Sequence, residues 1–266
     1  MEFLVKILQH VMLLQTQKRC VFVWRFFIDE MQITGIQQTT LVDYPWKIAS
    51  IVFTAGCQFR CPFCYNPQAV LPELIARYRE QQIPEDAIFN FLQQRKGLID
   101  WVSICWWEPT VQSDLYEFAQ KIKKMWFCVK LDTNGRDAKL VKKMVEDWIL
   151  DYVAVDLKGP LSNYEKRSWV SEFWDFLENY KELLDFLKSG VVDYEYRSTL
   201  IKWFHEKEDL EEMGMYLQWI KARYLQNYLP EETLDPNFVG EPFTWVELQE
   251  LKKIASQYVE FCSVRW

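Results

Sequence analysis

Residues 54–67 read TAGCQFRCPFCYNP, and Cys57, Cys61 and Cys64 stand within them in a C-x3-C-x2-C array. Three soft thiolates on one short loop suit a metal–sulfur centre, and they fall one short of the four-Cys shell of an ordinary [4Fe–4S] cluster. A cluster held there keeps one iron open to a substrate or cofactor. On spacing alone, the array equally admits part of a zinc site or three unrelated buried cysteines. Directly upstream, residues 48–54 (IASIVFT) form an apolar, β-rich run typical of a buried parallel strand, so the loop begins where a strand ends.

Outward from this loop, strands and helices alternate. Helices are predicted over 84–96, 114–124, 138–148, 174–187 (closed by Gly190), 206–219 and 245–258. Strands are predicted over 101–105, 127–131, 152–157, 194–201, 223–228 and 259–264, with a Pro-rich loop over 230–243. Six or so βα repeats imply an α/β fold with a parallel sheet. The polar motifs fall at strand ends, the face that does chemistry in barrel-like α/β folds. An open doubly wound sheet is the alternative from pattern alone. No internal repeat or linker divides the chain.

Residues 1–30 are apolar but interrupted by Lys6, Lys18, Arg19 and Arg25, so no run reaches the roughly 18 residues of a membrane span. The apolar stretch over 11–14 is too short for a signal peptide, and no small-residue cleavage site follows. Met31 opens a segment that looks like a natural N-terminus. We read 1–30 as a mis-assigned start or dispensable extension, with an amphipathic surface helix as the alternative, and 31–266 as the functional domain.

Half of the 266 residues are hydrophobic and 26% charged, enough for a sizeable core. A formal charge of −7 argues against a general nucleic-acid binder. Of the seven cysteines, Cys20, Cys105, Cys128 and Cys262 are scattered, which fits a reducing, cytoplasmic setting rather than a disulfide framework.

The Cys array, with Phe63 just before its third cysteine, resembles the signature of the radical S-adenosylmethionine (SAM) enzymes. The wider segment MQITGIQQTTLVDYPWKIASIVFTAGCQFRCPFCYNP is similar to the start of the glycyl-radical-enzyme activases, most of all those serving anaerobic ribonucleoside-triphosphate reductase. The likeness continues through EPT (108–110), KLDTNG (130–135), DYVAVDLKGP (151–160), YEYRSTL (194–200) and YLQNYLP (224–230). It implies a partial (β/α)6 barrel with a [4Fe–4S] cluster on Cys57, Cys61 and Cys64 and SAM on the open iron. Reductive SAM cleavage would give a 5′-deoxyadenosyl radical that takes hydrogen from a backbone glycine of a partner enzyme. The implied partners are the large subunit of anaerobic ribonucleotide reductase and a reduced flavodoxin- or ferredoxin-like electron donor.

The same resemblance assigns expectations to single residues. Phe63 would pack near the adenine of SAM, with plain loop packing as the alternative. The family's Gly-Gly-Glu motif maps to Trp106, Trp107 and Glu108, with Glu108 a credible acceptor for the SAM ammonium. Asp132, Thr133 and Asn134 could bond the ribose or methionyl groups, although an Asn-Gly turn alone would explain Asn134-Gly135. Asp156 and Lys158 match an Asp-x-Lys motif near the meeting point of SAM and substrate. Arg197 could pair with the SAM carboxylate or form a buried structural ion pair. His10 and His205 have no metal-ligand spacing.

Tryptophan usage departs from the family systematically. Thirteen Trp accompany only eight Gly, where Gly ordinarily makes up about 7% of a chain. Trp46, Trp101, Trp106, Trp107, Trp126 and Trp266 stand where the family has Gly, and Trp148, Trp169, Trp203 and Trp219 where Gly would be unremarkable. A Gly-Gly loop lets backbone approach a ligand closely, which paired indoles prevent. These positions are expected to be UGA codons decoded as glycine. The alternative is a Trp-rich homologue that has lost SAM binding.

Overall fold

The computed structural model describes residues 31–44, 47–170 and 173–265. The expected extension over 1–30, with Cys20 and Trp24, lies outside them, as do Trp46 and Trp266. One eight-stranded sheet organises the rest, its strands neighbouring one another in chain order from β1 to β8. The strands are β1 (Ile33–Thr40), β2 (Ala49–Thr54), β3 (Trp101–Cys105), β4 (Cys128–Thr133), β5 (Tyr152–Asp156), β6 (Asp193–Leu200), β7 (Ala222–Asn227) and β8 (Phe261–Arg265). β1 runs antiparallel to β2, and every later neighbour is parallel.

The helices are α1 (Pro72–Arg77), α2 (Glu85–Gln94), α3 (Leu115–Lys124), α4 (Ala138–Glu146), α5 (Tyr164–Ser168), α6 (Phe173–Lys188), α7 (Lys207–Tyr216) and α8 (Trp245–Ala255). They return the chain between parallel strands, as that connection requires. α3 turns Leu115, Phe118, Ala119 and Ile122 inward at helical spacing. α4 does the same with Ala138, Val141, Met144 and Val145, its first turn capped by Asp137 accepting from the Leu140 N–H at 3.0 Å. The strands meet them with near-continuous apolar runs: all of β3 is buried, and β2 and β5 nearly so. This is the partial-barrel α/β architecture expected from the sequence.

Three elements escape sequence patterning. β1 (ITGIQQTT) has no apolar run because, as an edge strand, it buries only Ile33 and Thr40. α1 and α5, six and five residues long, are shorter than any periodic signal can register. Four helices also stop two or three residues earlier than predicted, α2 at Gln94, α4 at Glu146, α7 at Tyr216 and α8 at Ala255. Beyond the ends of α4 and α7 lies a tryptophan with positive φ, Trp148 and Trp219 respectively.

Candidate iron–sulfur and SAM site

The parallel strands β2 to β7 all contribute residues to the lining of one cavity of about 430 Å³. The loop after β2 enters it with a left-handed turn at Gly56, φ 94°, whose N–H bonds the Ala69 carbonyl at 2.8 Å. Arg60 then braces the loop from within: its Nη1 donates to the Cys57 and Phe59 carbonyls at 2.7 and 2.8 Å. Phe59 anchors the loop in the core against Tyr164 and Phe176. A second clamp comes from the long loop after β7, where the Leu234 and Asp235 N–H groups bond the Cys64 and Pro62 carbonyls at 2.7 and 3.1 Å. Neither Arg60 nor this distant loop was singled out from sequence, since backbone contacts leave no residue signature.

The thiols of Cys57, Cys61 and Cys64 all line the cavity and none is in a disulfide. Burial pushes all three up, Cys61 to about 12, while the Lys158 ammonium works in the opposite direction on each. Cys57 Sγ accepts the Phe59 N–H at 3.3 Å and lies 3.9 Å from Asn134 Nδ2. Among the described residues no three His, Cys, Asp or Glu side chains converge as ligands of one metal ion do. Three thiolates that each bind a different iron of a cluster have no need to.

Across the cavity runs a chain of alternating charge built from the ends of β4, β5 and β6. Lys130 Nζ lies 3.1 Å from Asp132, Arg197 reaches Asp132 at 2.6 Å and Asp156 at 2.9 Å, and Lys158 closes the row on Asp156 at 3.1 Å. Register makes this possible, because Asp156 and Arg197 are Cα partners on adjacent parallel strands. Burial alone would raise the Asp156 carboxyl, but the Arg197 and Lys158 charges outweigh it and hold it at about 2. Asp132 is likewise lowered against its burial by Arg197 and Lys130. Burial works against the Lys158 ammonium, yet Asp156 and the neighbouring thiols raise its pKa. Asp156 and Lys158, 29% and 23% exposed, thus belong to a partly buried network and are not an isolated surface pair. Lys130, 1% exposed and donating also to the Asp43 carbonyl at 2.8 Å, extends that network beyond what sequence indicated.

Glu108 is fully buried rather than solvated at its strand end. Its carboxylate accepts from the Thr110 N–H and hydroxyl at 3.2 and 2.6 Å, from the Thr133 hydroxyl at 2.8 Å and from the Asn134 N–H. Burial still dominates those four donors and pushes the carboxyl up to about 7. Asn134 also forms the anticipated turn, accepting the Arg136 N–H at 3.0 Å beside Gly135 at φ 80°. Thr133 faces the cavity; Glu108 and Asn134 do not line it. Phe63 lines it too, packed edge-on against Phe204 at 5.5 Å and tilted against Phe238 at 6.0 Å.

His205 is a structural residue. Its Nδ1 accepts the Ile201 N–H at 3.1 Å, which fixes the proton on Nε2, and that N–H donates to the Lys158 carbonyl at 3.0 Å. Burial holds the ring neutral, its pKa lowered to about 3. It thereby ties the loop bearing Lys158 to the end of β6, a role with no sequence pattern. Cys105 and Cys262 are buried, as expected of small core residues, and Cys128 is half-buried.

Two indoles also stand in this region. Trp106 stacks on Phe53 at 3.9 Å and packs against Trp107 at 4.6 Å, and Trp107 hydrogen-bonds the Cys64 thiol. Both line the main cavity and a second one of about 290 Å³ beside Thr34, Ile75 and Tyr78.

Three cavity-facing thiols on the loop after the first parallel strand, within an open barrel of βα units, define a protein built to carry a cluster with one free iron. Residues 51–202 match the model of the Radical SAM superfamily, more than half of the chain, and the chain belongs to that family. It is a radical SAM enzyme, and the family's cofactors are a [4Fe–4S] cluster and SAM. The soft donor set and the cation beside it fit the cluster. The chain is 29% identical over 236 residues to a Methanocaldococcus jannaschii protein described as a "putative glycyl-radical enzyme activating enzyme", covering 88% of this chain and 95% of that one. In fold it is similar to a radical SAM methyltransferase from Sphaerobacter thermophilus, at 13% identity and TM-score 0.61, covering 84% of this chain and 67% of that one. Streptococcus suis SuiB is alike at 14% identity and TM-score 0.62, covering 81% of this chain and 49% of SuiB. Among the described residues, no helix is long and apolar enough to cross a membrane.

Proposed function

We propose that this enzyme is an activase that installs a glycyl radical on a partner enzyme, the anaerobic ribonucleoside-triphosphate reductase. The observation that carries the activase reading is 29% identity to the M. jannaschii protein over 236 residues, 95% of that protein's length. The reductase as partner rests on the resemblance of residues 31–67 and the later motifs. Cys57, Cys61 and Cys64 would hold the cluster, which with SAM supplies one-electron cleavage and a hydrogen-abstracting carbon radical. Lys158 is the cation placed to offset thiolate charge. Asp132, Thr133, Asp156 and Lys158 present polar groups to a ligand that is part amino acid, part nucleoside. Arg197, engaged by two aspartates, serves as a positioning residue for them rather than as a free carboxylate clamp. Phe63, with Phe204 and Phe238 behind it, supplies an apolar wall that shields a reactive radical from side reactions. Electrons would come from a reduced flavodoxin- or ferredoxin-like protein.

The test is anaerobic reconstitution with iron and sulfide, followed by SAM, reductant and the reductase large subunit. The expected result is brown [4Fe–4S] absorbance, 5′-deoxyadenosine formation and a glycyl-radical EPR doublet on the large subunit. Cys57→Ala, Cys61→Ala and Cys64→Ala should each abolish the absorbance. SAM cleavage coupled only to a small molecule, with no protein radical, would point instead to a deazapurine-synthase-like enzyme. Uptake of zinc without a cluster would overturn the cofactor assignment itself.

A further inference from the structure

Eleven described residues other than helix or strand regulars carry a positive φ, and each is either Gly or Trp. Four are glycines: Gly56, Gly97, Gly135 and Gly190. Seven are tryptophans, at 106, 107, 126, 148, 169, 203 and 219, with φ between 45° and 75°. Only a few per cent of non-Gly residues enter this region, with Asn, Asp and His enriched among them; a bulky aromatic there is an outlier. Among the described residues no Asn, Asp or His shares it.

The local hydrogen bonds show what each position demands. At the end of α4, the Trp148 N–H bonds the Val145 carbonyl at 3.0 Å and the Ile149 N–H bonds Met144 at 2.9 Å. That pair of bonds is the Schellman helix stop, whose left-handed residue is usually glycine. Trp126 ends α3 with the same bond, to the Lys123 carbonyl at 2.9 Å, and Gly190 ends α6 with it, to Leu187 at 3.0 Å. Trp169 is itself the left-handed cap of α5, φ 45° and ψ 45°. Trp203 is the third residue of a turn closed by the Phe204 N–H on Ile201, where positive φ calls for glycine. Nor do the side chains explain the placement. Trp126, Trp148, Trp169, Trp203 and Trp219 all project into solvent, Trp126 92% exposed. Trp101, by contrast, lies in regular β3, buried and stacked on Tyr44 at 3.9 Å, and Trp174 and Trp245 sit in ordinary helical turns.

We propose that glycine occupies positions 106, 107, 126, 148, 169, 203 and 219 in the protein as its own cells make it, through a codon read as Trp in some genetic codes and as Gly in others. UGA is such a codon. At 106 and 107 the consequence is a ligand groove. Those two indoles are the wall shared by the 430 Å³ and 290 Å³ cavities, and Trp107 occupies a bond of the Cys64 sulfur. With hydrogen in place of both side chains, the cavities become one cleft from the cysteines to Tyr78, room for an elongated nucleoside-bearing ligand. The backbone of 106 and 107, between Cys105 and Glu108, is then open to it. The backbone requirement singles out these seven and places none on Trp101, although the family pattern has glycine there.

Neither of two tests depends on the activase reading. Tryptic mass spectrometry of the natively expressed protein covers 97–121, 125–130 and 144–158; glycine is expected at 106, 107, 126 and 148. Tryptophan at those positions overturns the proposal. Independently, the recombinant chain as written is compared with the variant W126G/W148G/W169G/W203G/W219G, all outside the cavity. Relief of five left-handed tryptophans should raise the melting temperature on the order of 10 °C. An unchanged or lower value would mean the backbone tolerates indoles there, against the proposal.

Discussion

Arg197 offers the sharpest test of how the site is held together. Its side chain is 13% exposed, and it bridges Asp132 and Asp156, which are 9% and 29% exposed. Holding Asp156 at about 2 rather than 3.8 corresponds to ~2 kcal/mol of stability. Because that carboxyl is depressed in the fold, its contribution is complete above 3.8 and lost as pH falls through about 2. Arg197→Met strands both aspartates with Lys130 and Lys158 alone, so a loss of ~3–5 kcal/mol is expected at pH 7. Asp156→Asn should cost ~2 kcal/mol by itself, and the double variant should recover at least that much through the lost repulsion. Urea denaturation of the cluster-free chain measures all three. Strictly additive single effects, or a loss below ~1 kcal/mol for Arg197→Met, would refute the view that these charges act as one network.

Other outcomes follow from single contacts. Glu108, raised from 4.5 to about 7, penalises the fold as it ionises, so stability of the cluster-free chain should fall by up to ~3 kcal/mol between pH 4.5 and 7. Glu108→Gln cannot ionise and should remove that slope in pH-dependent urea curves, while adding a constant cost where its amide meets the Asn134 N–H. Gly214→Ala places a Cβ 2.3 Å from the Tyr258 ring, and the overpacking should lower the melting temperature by an amount equivalent to ~1–3 kcal/mol. Arg265→Met removes a two-bond clamp at 2.6 and 2.9 Å from Glu195, a fully buried carboxylate, leaving it, among the described residues, the Tyr152 hydroxyl at 2.9 Å. A loss of ~3 kcal/mol is expected by chemical denaturation, and Glu195→Gln in the same chain should restore part of it.

What the sequence determined by itself was whatever local pattern encodes. The strand before the cysteines, the βα alternation and the C-x3-C-x2-C loop are short-range signals, and each lies where the chain said it would. The helices α3 and α4 were legible for the same reason, since the spacing of apolar residues is written into the sequence. Tertiary structure decided what depends on partners far along the chain. β1 exists because β2 offers it an edge, not because ITGIQQTT prefers to be extended. Glu108 is buried because Thr133 and Asn134, one strand away, add two donors to the two that Thr110 supplies. Arg197 became a bridge between two aspartates because parallel register set it beside Asp156. Composition flagged the tryptophans as excessive, but only backbone dihedrals separated the seven that glycine must fill from Trp101, which the core accepts. Side-chain identity is local; the conformation that a fold imposes on that residue is not.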